Sequence, residues 1–250
     1  MKIAGKTDIG LYRKENQDNY RAGRQPDDTV WALVCDGMGG TNGGKLASST
    51  AAAYMENKFL QELMLKETQE EIQAFLHEVI LKANKEIFKL SRTLPDNKGM
   101  GTTVVCAIIK QGVVYYAHVG DSRIYHYTNG TLTQLTKDHS MVQELVEQGT
   151  ITEQEAYRHP RKNLITRALG VLPTVTVDCA RCSFSPQDSL LLCTDGLTNY
   201  LGTEEILQVL GQVPFFEQAD VLIEKALAAG GQDNITALLV QDDAGEENHG

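Results

Sequence analysis

The chain has 250 residues, 42% of them hydrophobic and 22% charged, with a formal net charge of −10 and a sequence pI near 5.1. That length allows a substantial buried core, and no apolar run approaches the roughly 20 residues of a membrane-spanning helix. The acidic balance repels a phosphate backbone and argues against general nucleic-acid binding.

Residues 2 to 7 and 18 to 24 read as short strands around a polar turn that contains Arg13, Asn16, Gln17 and Asp18. The start, Met1-Lys2-Ile3-Ala4-Gly5, has no signal-peptide core, so a cytoplasmic protein is expected. Next comes Thr29-Val30-Trp31-Ala32-Leu33-Val34-Cys35-Asp36-Gly37-Met38-Gly39-Gly40, a buried strand that ends on a carboxylate and a glycine-rich turn. Glycine there lets the backbone approach a ligand closely. Residues 44 to 60 follow as a helix with Ala47, Ala51, Met55 and Phe59 on one face. A second amphipathic helix carries Ile72, Phe75, Leu76, Val79, Ile80, Ala83, Ile87 and Leu90 at helical spacing. Both helices are expected to cover a sheet.

From Gly101 the period changes to two. Residues 102 to 109 are apolar on both faces and predict a central strand, and 113 to 119, 122 to 127 and 131 to 135 read as a meander. Its tight turns are Gly120-Asp121-Ser122 and Asn129-Gly130. Adjacent hairpins without helices between them argue against a parallel sheet. Residues 137 to 170 hold two short helices, near Met141 to Gln148 and Glu153 to Tyr157, among basic residues that include Arg161, Lys162 and Arg167. An excursion of that length suits a lid or binding loop. Strands at about 175 to 183 and 188 to 194, helices near 203 to 210 and 216 to 229, and a last strand at 235 to 240 complete the pattern. The tail from Asp242 is acidic and polar.

Five cysteines, an odd number, without a secretion signal argue against a disulfide scaffold. Cys179 and Cys182 lie three apart in a strand, so they face opposite ways and chelate poorly.

The chemistry lies in aspartates at strand ends: Asp36, then Asp195 after Leu190-Leu191-Leu192-Cys193-Thr194, then Asp233 before Asn234-Ile235-Thr236. Asp18 and Asp121 sit in turns. Carboxylates without histidine or cysteine partners favour the hard cations Mg2+ or Mn2+. If these aspartates converge, their mutual repulsion itself argues for a cation. Two such ions can activate a water and stabilise a phosphoryl transition state, and Arg13 can hold a phosphate through paired hydrogen bonds.

On these residues the chain resembles the metal-dependent type 2C (PPM family) protein serine/threonine phosphatases in their compact bacterial form. The resemblance runs from Arg13 to Asp18, through Asp36-Gly37-Met38-Gly39-Gly40, Gly101-Thr102-Thr103, Val119-Gly120-Asp121-Ser122-Arg123 and Asp138-His139-Ser140, to Thr194-Asp195-Gly196 and Asp233-Asn234. It implies an α+β fold: an antiparallel β-sandwich flanked on both faces by helix pairs, in four αββα layers. It implies one catalytic domain over residues 1–241, a flap insertion at about 140–170, and a disordered acidic tail at 242–250. Asp36 would bridge two ions, the Gly37 carbonyl would complete one site, and Asp195 and Asp233 the other. Asp18 would act through water, Asp121 with Asp195 would form a third, weaker site, and Arg13 would bind the substrate phosphate. The flap from Ser140 to Gly170 would contact substrate. The activity implied is hydrolysis of phosphoserine and phosphothreonine by a metal-bridging water. The partners implied are phosphorylated proteins and an opposing Ser/Thr kinase, with no nucleic acid or membrane, and the chain acting as a monomer. Many relatives carry a histidine within or just after the glycine turn; here Met38 and Thr41 stand there, which leaves the leaving group's proton donor open.

Three rivals are weaker. Gly39 to Lys45 fits a phosphate-binding loop, but Leu46 replaces the magnesium-binding hydroxyl. None of the five cysteines is followed six residues later by the arginine of a cysteine phosphatase. A non-catalytic phosphoprotein binder has no need of Asp36, Asp195 and Asp233, all of which are present. His77 and His118 read as structural or surface residues beside so oxygen-rich a site.

Overall fold

The computed structural model describes residues 1–39, 43–93 and 99–242. In chain order its strands are β1 (Lys2–Asp8), β2 (Asn19–Arg24), β3 (Val30–Cys35), β4 (Gly37–Met38), β5 (Gly101–Thr102) and β6 (Val104–Lys110). They continue with β7 (Val113–Val119), β8 (Arg123–Thr128), β9 (Thr131–Gln134), β10 (Asp178–Ser183), β11 (Ser189–Cys193) and β12 (Ile235–Gln241). The helices are α1 (Gly43–Glu62), α2 (Gln69–Thr93), α3 (Met141–Glu147), α4 (Glu153–Tyr157), α5 (Asp195–Thr198), α6 (Thr203–Gln212) and α7 (Phe215–Ala228). A 3-10 turn at Leu63–Leu65 follows α1.

A strand buried on both faces sorts its alternate side chains into two different cores. In β3, Trp31, Leu33 and Cys35 pack under α1 and α2, while Val30, Ala32 and Val34 face the opposite sheet. In β6, Val104, Cys106 and Ile108 join the first group, and Val105, Ala107 and Ile109 the second. On the far side, Leu191 and Cys193 of β11 face α6 and α7, while Leu190 and Leu192 turn inward. The result is four layers, α1–α2 over the sheet β10-β7-β6-β3-β2, then the sheet β1-β12-β11-β8-β9, then α6–α7. Trp31 and Phe59 rings meet at 5.3 Å, and Phe59 and Phe75 at 5.8 Å, which ties β3 to both covering helices. Each fully buried side chain of this size contributes roughly 1.5–3 kcal/mol. The αββα expectation is met, and all the strand pairings described are antiparallel.

The meander expectation needs correction. β7 and β8 are not hairpin partners: β7 pairs with β6 and β10, whereas β8 pairs with β11 and β9 in the other sheet. Gly120-Asp121-Ser122 is therefore a crossing between sheets, not a hairpin turn. Gly120 takes φ +111, and a side chain there would lie 2.6 Å from Thr103. Sheet and crossing alike have this as their reason: the chain must leave one layer beside Thr103 and enter the other at Arg123.

The two cysteines of the Cys-x-x-Cys stretch do face opposite ways. Cys179 packs toward α2 and Cys182 toward the space between the sheets. Among the described residues all five cysteines are free, and Cys35, Cys106 and Cys193 are fully buried. No described helix is long and apolar enough to cross a membrane. Gly40, Thr41 and Asn42 of the glycine turn, and the expected tail beyond Asp242, lie outside the described residues.

Candidate active site

The strand-end aspartates come together where the two sheets meet. Asp36 follows β3 in one sheet, while Asp195 opens α5 just after β11 and Asp233 shortly precedes β12 in the other. Arg13, Asp36, Gly37, Asp121, Asp195 and Asp233 line one cleft of about 290 Å³. Asp18 lies buried beside this group, close enough for Asp195 and Asp233 to raise its pKa.

Each carboxylate is placed by its neighbours. The Asp36 N–H donates to Thr103 Oγ1 (3.0 Å), and the Asp36 carbonyl accepts from Thr103 N–H (2.8 Å) and Thr102 Oγ1 (2.8 Å). Thr103 Oγ1 also shares a hydrogen bond with Ser122 Oγ (2.7 Å), so the Gly-Thr-Thr stretch links Asp36 to the crossing that bears Asp121. Asn234 holds the other side. Its amide donates to the carbonyls of Ile9 (2.9 Å) and Glu15 (3.0 Å), and its Oδ1 accepts from Gln17 N–H (2.8 Å). That clasp fixes the loop that presents Arg13 beside Asp233. A side chain at Gly196 would lie 1.9 Å from the Asn234 carbonyl, so glycine there lets β11 and β12 deliver Asp195 and Asp233 together.

The electrostatics record the crowding. Burial, then the Asp18, Asp195, Asp121 and Asp233 charges, push Asp36 well above the usual carboxylate range. Burial and the Asp195 charge do the same to Asp121, and burial and Asp233 raise Asp195. Asp18 is pushed up to about 7 by burial, against the hydroxyls of Thr236 and Thr194 that favour its charged form. Those hydroxyls both donate to Asp18 Oδ2, at 2.7 and 2.9 Å, while buried Asp18 Oδ1 has no hydrogen-bond partner among the described residues. A buried oxygen left bare amid repelling carboxylates fits a divalent cation with oxygen ligands, reached directly or through water. The donor set suits magnesium or manganese chemistry.

Arg13 Nη2 donates to Asp233 Oδ2 at 2.7 Å, so the side chain expected on phosphate leans on an expected metal ligand. Asp138 pairs bidentately with Arg123 (2.7 to 3.1 Å), which makes it a brace for β8. Of the flap, Asn163 and Ile165 line the cleft. The flap is closed at its base by the bridges Ser140↔Ile165 and Thr102↔Leu169. Its helices carry their own caps, Ser140 on α3 and a Thr152–Glu155 capping box on α4.

Sequence reasoning missed Thr194 and Thr236 as the hydroxyl pair on Asp18. A hydroxyl inside an otherwise apolar strand, as at Thr236, is the one signal that marked the pair.

A second cluster brings possible ligand atoms of His118, His139 and Asp178 within 4.8 Å of one another. Its hydrogen bonds oppose a cation. Gly120 N–H donates to His139 Nδ1 (3.0 Å), so neutral His139 carries its proton on Nε2, toward Asp178 Oδ2 at 3.2 Å. Arg167 already donates to Asp178 Oδ1 (2.9 Å). The cluster is a strut: His139 N–H also donates to the Gly120 carbonyl (2.9 Å), and the His118 ring stacks on it at 4.5 Å.

A two-sheet sandwich with a carboxylate cleft at its seam is the frame of a metal-dependent phosphatase, and the protein phosphatase 2C family profile matches residues 13–239. The chain belongs to that family. It is 44% identical over 239 residues to the serine/threonine phosphatase stp of Listeria monocytogenes, covering 95% of this chain and 94% of that one. In structure it is similar to the S. agalactiae serine/threonine phosphatase, with a TM-score of 0.89 and 36% identity over 95% of this chain and 98% of that chain. It is also similar to the catalytic domain of the phosphatase PstP in complex with 2 manganese ions (TM-score 0.83, 34% identity, 97% and 98% covered).

Proposed function

We propose that the chain hydrolyses phosphoserine and phosphothreonine in proteins with two core divalent cations, Mn2+ or Mg2+, held by Asp36, Asp195, Asp233 and the Gly37 carbonyl. As a member of its family it is a metal-dependent serine/threonine protein phosphatase of the bacterial PPM type. The observation that carries the residue assignment is the convergence of five carboxylates from remote parts of the chain, one with a bare buried oxygen. When bound, the cations supply an activated water and neutralise phosphoryl charge.

The chain's own residues do the rest. Asp36 joins the two halves of the site, because it comes from one sheet and Asp195 and Asp233 from the other. Asp18 orients water through Oδ1 while Thr194 and Thr236 hold its other oxygen. Arg13, paired with Asp233 here, would be free to hold the substrate phosphate if Asp233 held a cation. Asp121 and Asp195 share a wall of the cleft and of a neighbouring hollow, which suits a third, looser cation. No histidine lines the cleft among the described residues, which leaves water as one proton donor for the leaving oxygen. In this reading the chain works in the cytoplasm as a monomer against a serine/threonine kinase, and the flap meets the phosphoprotein.

The decisive experiment is turnover of a phosphothreonine peptide with Mn2+, with Mg2+ and with excess chelator. Activity should vanish with chelator and return with Mn2+. Activity that survives complete removal of divalent metal overturns the proposal.

A further inference from the structure

Two hollows flank the catalytic cleft and share walls with it. One, of about 310 Å³, shares Asp121, Asn163 and Asp195 with the cleft and continues under the flap to Glu153, Tyr157 and Lys162. The other, of about 240 Å³, shares Met38 and Ile165 with the cleft and continues to Ala168, Val171, Leu172 and Val175. The three adjoin one another, with flap residues Asn163 and Ile165 on the shared walls.

The second hollow differs in chemistry. Among the described residues no carboxylate lines it, and the single charged side chain that does, Arg167, is already donating to Asp178. Val171 and Leu172 leave 42% and 62% of their surface in solvent there. Exposed apolar surface beside a catalytic cleft marks a contact site more often than a scattered surface residue does. The wall is also preformed. Asn84, buried within the apolar stripe of α2, donates to the carbonyls of Leu172 (3.1 Å) and Pro173 (3.3 Å), and its Oδ1 accepts from Gly170 N–H (2.8 Å). A polar side chain in that stripe holds residues 170 to 173 in place from beneath.

We infer that this hollow is a specificity subsite of the phosphatase: it receives a large apolar side chain that flanks the phosphorylated residue of the substrate protein. The inference rests on the phosphatase reading of the cleft. The occupant is fixed by continuity, since Met38 and Ile165 belong to both spaces. Met38 is two residues from Asp36, so a side chain flanking a phosphate held at Asp36 is within reach of this hollow. An apolar side chain gains there by leaving water, whereas a charged one loses hydration, and the cation an acidic one would meet, Arg167, is already paired with Asp178.

The test compares phosphothreonine peptides with Leu, Phe, Ser or Asp at each flanking position, on the Mn2+-loaded enzyme. Wild type should prefer Leu or Phe over Asp by about tenfold or more in kcat/KM at one flanking position. In Leu172→Asp, and in Val171→Asp, that ratio should collapse toward one or invert. Turnover of p-nitrophenyl phosphate by each variant reports whether it is folded and metal-loaded. Leu172 is the more exposed of the two, so Leu172→Asp decides the matter if Val171→Asp fails to fold. Equal kcat/KM for all peptides in wild type overturns the subsite, and so does a preference that survives both substitutions. Failure of the phosphatase reading looks different: wild type then leaves p-nitrophenyl phosphate itself intact in Mn2+, and the inference falls with it.

Discussion

Asp18 shows how much one residue can carry. One oxygen takes two hydroxyl hydrogen bonds and the other takes none, in a pocket that raises its pKa to about 7. Relief of such crowding predicts opposite effects on function and stability. Asp36→Asn, Asp195→Asn and Asp233→Asn should each weaken metal binding on the order of 100-fold or more, since even residues behind the ligands cost 10–100-fold. Without metal, Asp36→Asn should raise the melting temperature, because a repelled buried charge is gone. Titration calorimetry and melts in chelator check the two halves; wild-type metal affinity in all three variants contradicts the assignment. Arg13→Ala should lower kcat/KM by about 10- to 150-fold, the equivalent of roughly 1.5–3 kcal/mol, mostly through KM. It should not weaken metal binding, because it frees Asp233 from its ion pair. Reduced Mn2+ affinity in Arg13→Ala would make it a structural brace instead. That Asp36, Asp195 and Asp233 share one cleft was legible in sequence because each stands beside an apolar run, where a charge has few other uses. Thr194 and Thr236 were not, because hydroxyls occur in β-strands for many reasons.

At the scale of elements, α2 was legible from its helical period, and β3, β6 and β11 from unbroken apolar runs, since each is buried on both faces between two cores. The crossing at Gly120 was not. Glycine, aspartate and serine suit a tight turn and a crossing equally, and local composition carries no record of which strand comes next. The partner that decides it, Thr103, is remote in sequence. The flap depends on a similar remote fit. Gly170 takes φ +84, and a Cβ there would lie 2.2 Å from Ile87 Cγ2 on α2. Gly170→Ala should cost about 1–3 kcal/mol and loosen the exit of the flap. Urea melts should register the loss, and hydrogen exchange should rise at Leu169, whose N–H donates to Thr102. An unchanged exchange rate at Leu169 would show that the flap is anchored elsewhere.

For the whole molecule, the seam between the sheets is the place where pH acts. Folded Asp18 keeps its proton to about pH 7, whereas the unfolded chain releases it at about 4. Between those values the folded state binds more protons, so stability without metal falls as pH rises. Asp36, Asp121 and Asp195 shift the same way and add to the effect. Asp18 alone corresponds to a loss on the order of 4 kcal/mol across that interval. In chelator the melting temperature should fall from pH 5 to pH 8; with saturating Mn2+ the fall should flatten, because a cation favours the charged carboxylates. A metal-free melting temperature that rises over this interval would show that the five carboxylates do not share one buried site.

The buried cysteines carry a last consequence. Cys35 and Cys193 stand at the ends of β3 and β11, next to the residues that feed the cleft. Burial pushes the Cys35 thiol far up and the Cys193 thiol to about 12. At neutral pH neither offers thiolate to peroxide or to an alkylating reagent. Neither thiol therefore gives an oxidant a route into the strand ends that carry Asp36 and Asp195.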